Sequence, residues 1–198
     1  MSLKICSITK KYGDKTIFTD FSYDFDDKGI YAITGMSGIG KTTLLRMICG
    51  LDKDYSGEII SSDSFSVVFQ EYRLFSALTA LQNATVAIEK PTLQDYDKAK
   101  YLLRRLGFTD NEIELKPNEL SGGMKQRVSL VRAFMKDCDV YLLDEATKEL
   151  DSDLAKSVLD VISEYSKNHL VILVTHNLSD ISYLNAKIIN LSNSSKNI

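Results

Sequence analysis

The order of apolar and polar residues along the chain predicts strands that alternate with helices. Short apolar runs typical of strands lie at residues 30–34, 57–60, 65–69, 140–143, 170–175 and 187–191. Helical spacing of apolar residues, or the start and stop signals of helices, predicts helices at residues 41–49, 122–136, 154–165 and 178–181. Apolar strands that alternate with helices are typical of a parallel sheet covered on both faces.

Two parts of the chain depart from this alternation. Residues 3–8 and 17–25 are predicted strands, and the partial alternation in the second indicates a half-buried antiparallel strand. Residues 79–106 lack β-rich runs and carry helical spacing. We therefore predict one α/β domain over residues 1–198. It has a mainly parallel core flanked by helices, an N-terminal antiparallel β subdomain, and a helical subdomain inserted at about residues 71–120.

Composition narrows the class of protein. The chain of 198 residues has a formal net charge of −3, which gives no overall basic field, so no nucleic-acid partner is expected. No apolar run approaches the roughly 18–20 residues that span a bilayer, so we expect a cytoplasmic chain. The cysteines Cys6, Cys49 and Cys138 lack metal-ligand spacing and are expected to be reduced thiols.

A glycine-rich segment lies between the predicted strand 30–34 and the predicted helix that starts at Lys41. It matches the pattern G-x-x-x-x-G-K-[ST], and with the next threonine it consists of Gly35, Met36, Ser37, Gly38, Ile39, Gly40, Lys41, Thr42 and Thr43. In this pattern, glycines let backbone N–H groups approach phosphates, and the helix adds the positive end of its dipole. Lys41 is expected to reach the β- and γ-phosphates of ATP, and Thr42 to ligate Mg²⁺. A chance glycine-rich turn would lack this strand–loop–helix context.

Polar side chains follow three other predicted strands. In an open α/β sheet, ligands bind beyond the carboxyl ends of the strands. Asp144 is therefore placed to hold Mg²⁺, and Glu145 to orient or deprotonate the attacking water. By position, His176 is a candidate contact of the γ-phosphate, and Gln70 could reach the metal or the water. Taken alone, a solvated acidic pair, a structural histidine and an unremarkable glutamine are the ordinary alternatives.

The segment from Leu120 to Arg127, which reads Leu-Ser-Gly-Gly-Met-Lys-Gln-Arg, closely resembles the signature sequence of ATP-binding cassette (ABC) ATPases. The resemblance covers nearly the whole chain and implies the P-loop NTPase fold of that family, with ATP and Mg²⁺ as cofactors. It also implies roles for matching residues in the family's order. These are Tyr12 as the adenine-stacking aromatic, the Walker A loop at residues 35–42, Gln70 of the Q-loop, Asp144 ending the Walker B strand, Glu145, Asp151 of the D-loop, and His176 as the switch histidine.

The resemblance further implies an enzyme that works in pairs. Ser121, Gly122 and Gly123 would start a helix whose N–H groups face the γ-phosphate held by another subunit. Two ATPase subunits, identical or different, would pack head to tail around two ATP molecules and reopen after hydrolysis. In transporters of the family, integral membrane permease subunits dock near the Q-loop, which would place this chain peripherally on the inner face of the cell membrane. Four apolar residues of this region fit either docking or ordinary helix packing, namely Leu74, Phe75, Leu78 and Leu81.

One departure from the family pattern and several alternatives stay open. Lys148 and Glu149 place charges near the expected dimer seam, where the family usually has small residues, so the usual D-loop packing is in question. A soluble ABC ATPase of an assembly pathway, such as iron–sulfur cluster formation, is one alternative. A DNA-repair or chromosome ATPase is disfavoured by the compact insertion, and a non-hydrolysing regulator by the joint presence of Glu145, Gln70 and His176. The residues around Gln70 resemble small importer ATPases for oxyanions, but cargo and direction of transport stay open.

Overall fold

The computed structural model describes residues 3–61 and 64–192, so residues 1–2, 62–63 and 193–198 of the predicted domain lie outside it. In chain order, the described strands are β1 (Lys4–Tyr12), β2 (Lys15–Asp24), β3 (Gly29–Thr34), β4 (Ser56–Ile60), β5 (Phe65–Val68), β6 (Val140–Asp144), β7 (Leu170–Val174) and β8 (Lys187–Asn190). The described α-helices are α1 (Lys41–Ile48), α2 (Ala80–Thr85), α3 (Leu93–Arg105), α4 (Asp110–Ile113), α5 (Gly122–Met135), α6 (Ser152–Tyr165) and α7 (Leu178–Leu184). In this part of the chain, no helix has both the length and the apolar character that crossing a membrane requires.

The larger sheet is parallel throughout, as the apolar runs predicted. Its strand order is β5-β6-β7-β3-β8, and each neighbouring pair is parallel. Every residue of β6 and β7 is buried, which explains why their sequences are apolar rather than alternating. Because parallel strands end at one edge, the segments after β3, β5, β6 and β7 meet there.

The smaller sheet is antiparallel and has the order β2-β1-β4. It confirms the predicted N-terminal antiparallel unit. On β1, Lys4 lies opposite Asp24 of β2 on one side and Ile60 of β4 on the other. Although β4 and β5 follow each other closely in the chain, they belong to different sheets, and local periodicity cannot predict that choice.

Two hydrophobic clusters cover the two faces of the parallel sheet. Along β6, Tyr141 and Leu143 belong to one cluster, whereas Val140 and Leu142 belong to the other, as the alternation of side chains in a strand requires. The first cluster contains apolar residues of α2, α3, α5 and α6. The second contains residues of α1 and of the antiparallel sheet. The sheet edge that carries the polar residues is thus held by packing on both sides.

The stretch predicted as helical contains α2 and α3, which pack against α5. A threonine precedes each of α2, α3 and α4, and its side chain accepts a hydrogen bond from the amide of the third helix residue. The side chain of that third residue in turn accepts a bond from the threonine amide. These capping threonines are Thr79, Thr92 and Thr109. The helix α4 has only four residues, too few for an apolar period to show in the sequence.

Candidate functional site

The carboxyl edge of the parallel sheet opens into a cavity of about 500 Å³. Eleven of the site residues expected from the sequence line it, namely Tyr12, Ser37, Gly38, Gly40, Lys41, Thr42, Thr43, Gln70, Asp144, Glu145 and His176. They come from the last residues of β1 and β6 and from the segments after β3, β5, β6 and β7. The parallel sheet therefore brings together residues that are far apart in the sequence, as expected for a ligand site at this edge.

The loop between β3 and α1 needs glycine at two positions. Gly35 has a φ of 143°, and a Cβ atom there would lie 2.5 Å from the carbonyl oxygen of Leu191. Gly40 has a φ of 115°, and its Cβ would lie 2.4 Å from a methyl carbon of Ile17. Both positions combine a backbone conformation that favours glycine with a close neighbour. The loop is thus held tightly between β8 and β2, with Gly40 leading directly into α1.

Lys41 crosses the inside of this loop. Its ammonium donates hydrogen bonds to the carbonyl oxygens of Gly35 at 2.8 Å and Met36 at 2.9 Å. Burial lowers the pKa of Lys41, against the opposing influence of the carboxylates of Glu145 and Asp144. The first residue of α1 follows Gly40, which has no side chain to cap the helix. A buried ammonium beside an uncapped helix N-terminus is a suitable place for an anion such as phosphate.

Thr42 and Asp144 join the start of α1 to the end of β6. The Thr42 hydroxyl donates a hydrogen bond of 2.6 Å to Asp144 Oδ2, and Asp144 is only 4% exposed. Burial raises the pKa of Asp144, and Glu145 raises it further, while Thr42 and Lys41 oppose the shift. A buried carboxylate whose ionised form is disfavoured, lying next to a hydroxyl, fits a hard cation such as Mg²⁺, which prefers oxygen ligands.

The protein oxygens alone do not form a complete metal cage. Among residues 3–61 and 64–192, no group of three or more acidic, histidine or cysteine side chains is arranged to hold a metal ion. Mg²⁺ is commonly bound by one or two protein groups together with substrate phosphates and water. The pair of Thr42 and Asp144 beside Lys41 therefore fits a metal that arrives with a phosphate ligand.

Glu145 is held by its backbone in an unusual conformation. Its φ is 54°, its amide donates to the carbonyl of Val174 at 2.9 Å, and its carbonyl accepts from Gln126 Nε2 at 2.7 Å. Its carboxylate lies 2.5 Å from Lys148 Nζ and 3.6 Å from His176 Nε2. A non-glycine residue at positive φ costs free energy and is found preferentially at functional sites. The backbone contacts aim the carboxylate into the cavity.

Tyr12, the last residue of β1, lines the cavity and is half exposed. Its hydroxyl donates to Asp52 Oδ2 at 2.8 Å, and Lys10 Nζ lies 4.5 Å from the centre of its ring. Gln70 follows β5, is exposed, and lines the same cavity. His169 packs edge-on against Tyr141 at 5.3 Å and is not among the lining residues.

The signature residues and Asp151 do not line this cavity. Ser121 caps α5, where its hydroxyl accepts from the amide of Met124 at 3.2 Å. Asp151 caps α6 by accepting from the amides of Asp153 and Leu154. A Cβ atom on Gly122 would lie 2.8 Å from the Glu149 carboxylate, and one on Gly123 would lie 3.2 Å from the Glu149 carbonyl.

Glu149 belongs to a set of contacts around the loop that follows Gln70. Its carboxylate accepts a hydrogen bond of 2.5 Å from the Tyr72 hydroxyl, and this bond contributes most to raising the pKa of Tyr72 to about 12. From α5, the Arg132 guanidinium donates to the carbonyls of Tyr72 at 2.9 Å and Arg73 at 2.8 Å. The Glu149 carboxylate is therefore bound to the loop that follows Gln70 within the same chain.

Three contributors were not assigned a role from the sequence. Gln126, within the signature segment, holds the carbonyl of Glu145. Lys148 pairs with the Glu145 carboxylate, for which the spacing of three residues is the only sequence signal. Asp52 holds Tyr12 across a separation of 40 residues, which no local pattern reveals.

Known proteins are similar in sequence to this chain. The ABC transporter family model matches residues 18–148. The chain is 33% identical over 199 residues to the uncharacterized ABC transporter ATP-binding protein YclH of Bacillus subtilis, with 90% of this chain and 88% of that protein covered. It is 32% identical to the xylose/arabinose import ATP-binding protein XacJ of Haloferax volcanii, covering 90% of this chain and 51% of that protein. It is 34% identical to the macrolide export ATP-binding/permease protein MacB of a Shewanella species, covering 90% of this chain and 31% of that protein.

Solved structures agree with these relatives. The chain is similar to the ATP-binding cassette MJ0796 in a dimeric post-hydrolysis state bound to ADP and Pi, with a TM-score of 0.84, 25% identity, and coverage of 96% and 94%. A dimeric structure of MJ0796 as a bacterial ABC transporter cassette gives the same TM-score of 0.84. XacJ and MacB are about two and three times as long as the matched segment, whereas YclH is matched over most of its length. This chain belongs to the ABC transporter family, as one of its ATP-binding proteins.

Proposed function

We propose that this chain binds ATP with Mg²⁺, hydrolyses it to ADP and phosphate, and so drives transport through separate membrane subunits. The observation that carries the proposal is the single cavity in which Lys41, the Thr42–Asp144 pair and Glu145 meet. These groups match the three needs of phosphoryl transfer to water, which are charge neutralisation, a metal position and a base.

Binding of the nucleotide involves the loop and the start of α1. The Lys41 ammonium exchanges its carbonyl partners for β- and γ-phosphate oxygens, while backbone N–H groups of residues 35–43 donate to the same phosphates. The Thr42 hydroxyl and the Asp144 carboxylate, with Gln70 at the cavity wall, would hold Mg²⁺. When bound, the metal supplies positive charge against the phosphate oxygens.

Proton removal falls to Glu145. Its carboxylate faces the cavity from a fixed backbone position and has the His176 imidazole 3.6 Å away. It accepts the proton of the attacking water, and His176 helps to hold water and γ-phosphate in line. The Lys148 ammonium occupies one oxygen of this carboxylate at 2.5 Å, so the ion pair has to open before that oxygen can accept a proton.

The second half of each site is proposed to come from another ATPase subunit, of the same or a different chain. Ser121, Gly122, Gly123 and Asp151 lie outside the chain's own cavity, which fits residues that act on a neighbouring subunit's ATP. A second cavity of about 670 Å³ adjoins the first and shares Glu145, Lys148 and His176 with it. The carboxylate is therefore open towards a surface that a second subunit could cover. The two MJ0796 structures are described as dimeric, which supports a paired arrangement here.

The permease partner is proposed to dock on residues 70–87. Phe75 is 56% exposed and is available for docking, whereas Leu81 is buried in the core and serves ordinary helix packing. Asn83 fixes the exposed loop, because its side chain accepts from the amide of Phe75 and donates to its carbonyl. An exposed aromatic ring on an ordered loop suits a protein partner. This docking would hold the chain peripherally on the inner face of the membrane.

We also propose that residues 1–198 act as one ATPase domain in which residues 71–120 form a helical subdomain. The packing of α2 and α3 on α5, whose first residues carry the signature, supports this division. Relatives named for import and for export both match the chain, and no nucleic-acid partner is proposed.

Turnover measured against protein concentration tests the proposal. With two subunits per site, the ATPase rate is expected to rise more steeply than in proportion to concentration, until dimers dominate. Glu145→Gln is expected to retain ATP binding, to lose activity by about 100-fold or more, and to elute as a dimer with ATP. The matched control is Glu164→Gln, which removes a surface carboxylate paired with Arg105 and is expected to keep the parental rate. A strictly proportional rate argues against the shared site, and parental turnover in Glu145→Gln rules out that base.

A further inference from the structure

Three side chains from two distant segments form a connected group beside the cavity. Tyr12 ends β1, Lys10 lies two residues earlier on the same strand, and Asp52 follows α1. The Asp52 carboxylate accepts from the Tyr12 hydroxyl at 2.8 Å through one oxygen and from Lys10 Nζ at 2.9 Å through the other. A single carboxylate thus ties the tyrosine to the lysine beside it.

Lys10 is a buried, hydrogen-bonded member of this group and not a surface cation. It is 1% exposed, and its ammonium also donates to the Asp54 carbonyl at 2.6 Å. Burial acts to lower the pKa of Lys10, but the hydrogen bonds to Asp52 and Asp54 outweigh it and raise the pKa overall. The charged ammonium lies over the Tyr12 ring, 4.5 Å from its centre, which is the geometry of a cation–π contact.

Asp52 is fixed to the helix that carries the phosphate loop. Its amide donates to the carbonyl of Arg46 at 3.1 Å, and the amide of Leu51 donates to the same carbonyl at 2.8 Å. Arg46 lies in the last turn of α1, whereas Lys41 and Thr42 begin that helix. At 1.5 Å per residue, the five-residue step from Lys41 to Arg46 separates the two attachment points by about 7.5 Å along α1. The tyrosine ring and the phosphate loop are therefore attached to opposite ends of one short rigid helix.

We propose that Asp52 and Lys10 are positioning residues that hold the Tyr12 ring as a preformed platform for the base of the nucleotide, at a set distance from Lys41. This inference rests on the proposed ATP binding. An unattached, half-exposed tyrosine would lose side-chain freedom when a base stacks on it, which weakens binding. The contacts to Asp52 and Lys10 remove that loss in advance. Asp52 and Lys10 act through Tyr12 and do not touch the base themselves.

The experiment compares two ligands on variants of the full chain. Calorimetric titration with Mg²⁺–ATP reports base and phosphate binding together, whereas Mg²⁺–tripolyphosphate reports the phosphate loop alone. Tyr12→Phe keeps the ring and removes only the hydroxyl bond to Asp52. It is expected to weaken ATP binding by about 2- to 12-fold and to leave tripolyphosphate binding unchanged. Tyr12→Ala removes the stacking surface and is expected to weaken ATP binding by about 5- to 150-fold.

A matched control and a double variant complete the design. Tyr183→Phe makes the same chemical change at another half-exposed tyrosine, whose hydroxyl donates to Asp160 at 2.6 Å, and is expected to bind both ligands normally. Asp52→Asn is expected to weaken ATP binding alone but to add little in the Tyr12→Phe background, because both changes break one tether. In turnover, the tether variants are expected to raise KM for ATP with kcat retained.

The outcomes separate this inference from the proposed function. If the unchanged protein binds neither ligand, the proposed function fails. If Tyr12→Ala weakens ATP binding but Tyr12→Phe does not, the ring of Tyr12 binds the base, but the inference that its bond to Asp52 matters is refuted. If Tyr12→Phe weakens tripolyphosphate as much as ATP, the contacts only support the loop, and the inference is wrong. Full additivity of Asp52→Asn and Tyr12→Phe would likewise remove Asp52 from the role.

Discussion

Thr42→Val isolates the hydrogen bond between the phosphate loop and the end of β6. The change replaces one hydroxyl by a methyl group and keeps the branched shape of the side chain, so the backbone of α1 is little affected. It leaves the Asp144 carboxylate, 4% exposed, without its donor at 2.6 Å. A hydrogen bond to a charged group contributes about 1.5–3 kcal/mol, and we expect a loss of that size in the free energy of unfolding.

The loss can be measured as a melting temperature in the absence of nucleotide. For a chain of 198 residues, each kcal/mol lowers Tm by about 2–4 °C, so Thr42→Val is expected to melt about 3–12 °C earlier at neutral pH. Thr43→Val makes the same change one residue further along α1 and is expected to shift Tm by no more than about 2 °C. Circular dichroism during thermal unfolding is a suitable assay.

The pH dependence gives the prediction a sign. Burial raises the pKa of Asp144 in the folded protein above its usual value, while the Thr42 bond opposes the rise. The stability that comes with protonated Asp144 is complete below the usual aspartate pKa and is lost as the pH rises through the folded value. Removing the donor raises the folded pKa further. The destabilisation by Thr42→Val is therefore expected to be full at neutral pH and to shrink as the pH falls towards the usual aspartate pKa.

Two results would refute this reasoning. One is a Tm for Thr42→Val equal to that of the parent at neutral pH. The other is an undiminished loss in an Asp144→Asn background, where the bond is neutral and is expected to contribute only about 0.5–1.5 kcal/mol.

Three further predictions follow from the same site. Lys41→Ala is expected to weaken ATP binding by about 10- to 150-fold in a calorimetric titration, because it removes charged hydrogen bonds; unchanged affinity would contradict the phosphate site. Chelation of Mg²⁺ is expected to abolish phosphate release, and Asp144→Asn to do so with Mg²⁺ present, so steady turnover in either case would rule out the metal assignment. Gly35→Ala is expected to lower Tm well beyond Gly29→Ala, because both have positive φ but only the Gly35 Cβ meets Leu191, at 2.5 Å; equal Tm values would disprove the steric account.

Much of the fold and the site edge is accessible from the sequence, because the signals are local. The apolar run at residues 140–143 followed by Asp144 and Glu145 predicts the strand and its burial in a parallel sheet. The same holds for β7 and His176. Once the sheet is parallel, geometry alone brings these strand ends together.

The rest depends on contacts between distant segments. The bond from Tyr12 to Asp52 spans 40 residues, and the choice of sheet for β4 depends on pairing with β1. The positive φ of Glu145 results from the bonds made by its amide and carbonyl to β7 and α5, which no property of glutamate predicts. Lys148 looked like a departure in the sequence, but only coordinates reveal that it pairs with Glu145.

The grip of Arg132 on the loop after Gln70 has a mechanical consequence. Two hydrogen bonds from one planar guanidinium resist both sliding and rotation of the carbonyls of Tyr72 and Arg73. The Tyr72 hydroxyl ties the same loop to Glu149, which touches the start of α5. A displacement of this loop is therefore transmitted to both ends of α5, because the loop is hydrogen-bonded to Arg132 and Glu149 and cannot bend independently of the helix. Coupling between two binding sites is reciprocal. A partner that binds this loop more tightly in one orientation of α5 therefore has a higher affinity for the loop whenever a second ligand stabilises that orientation.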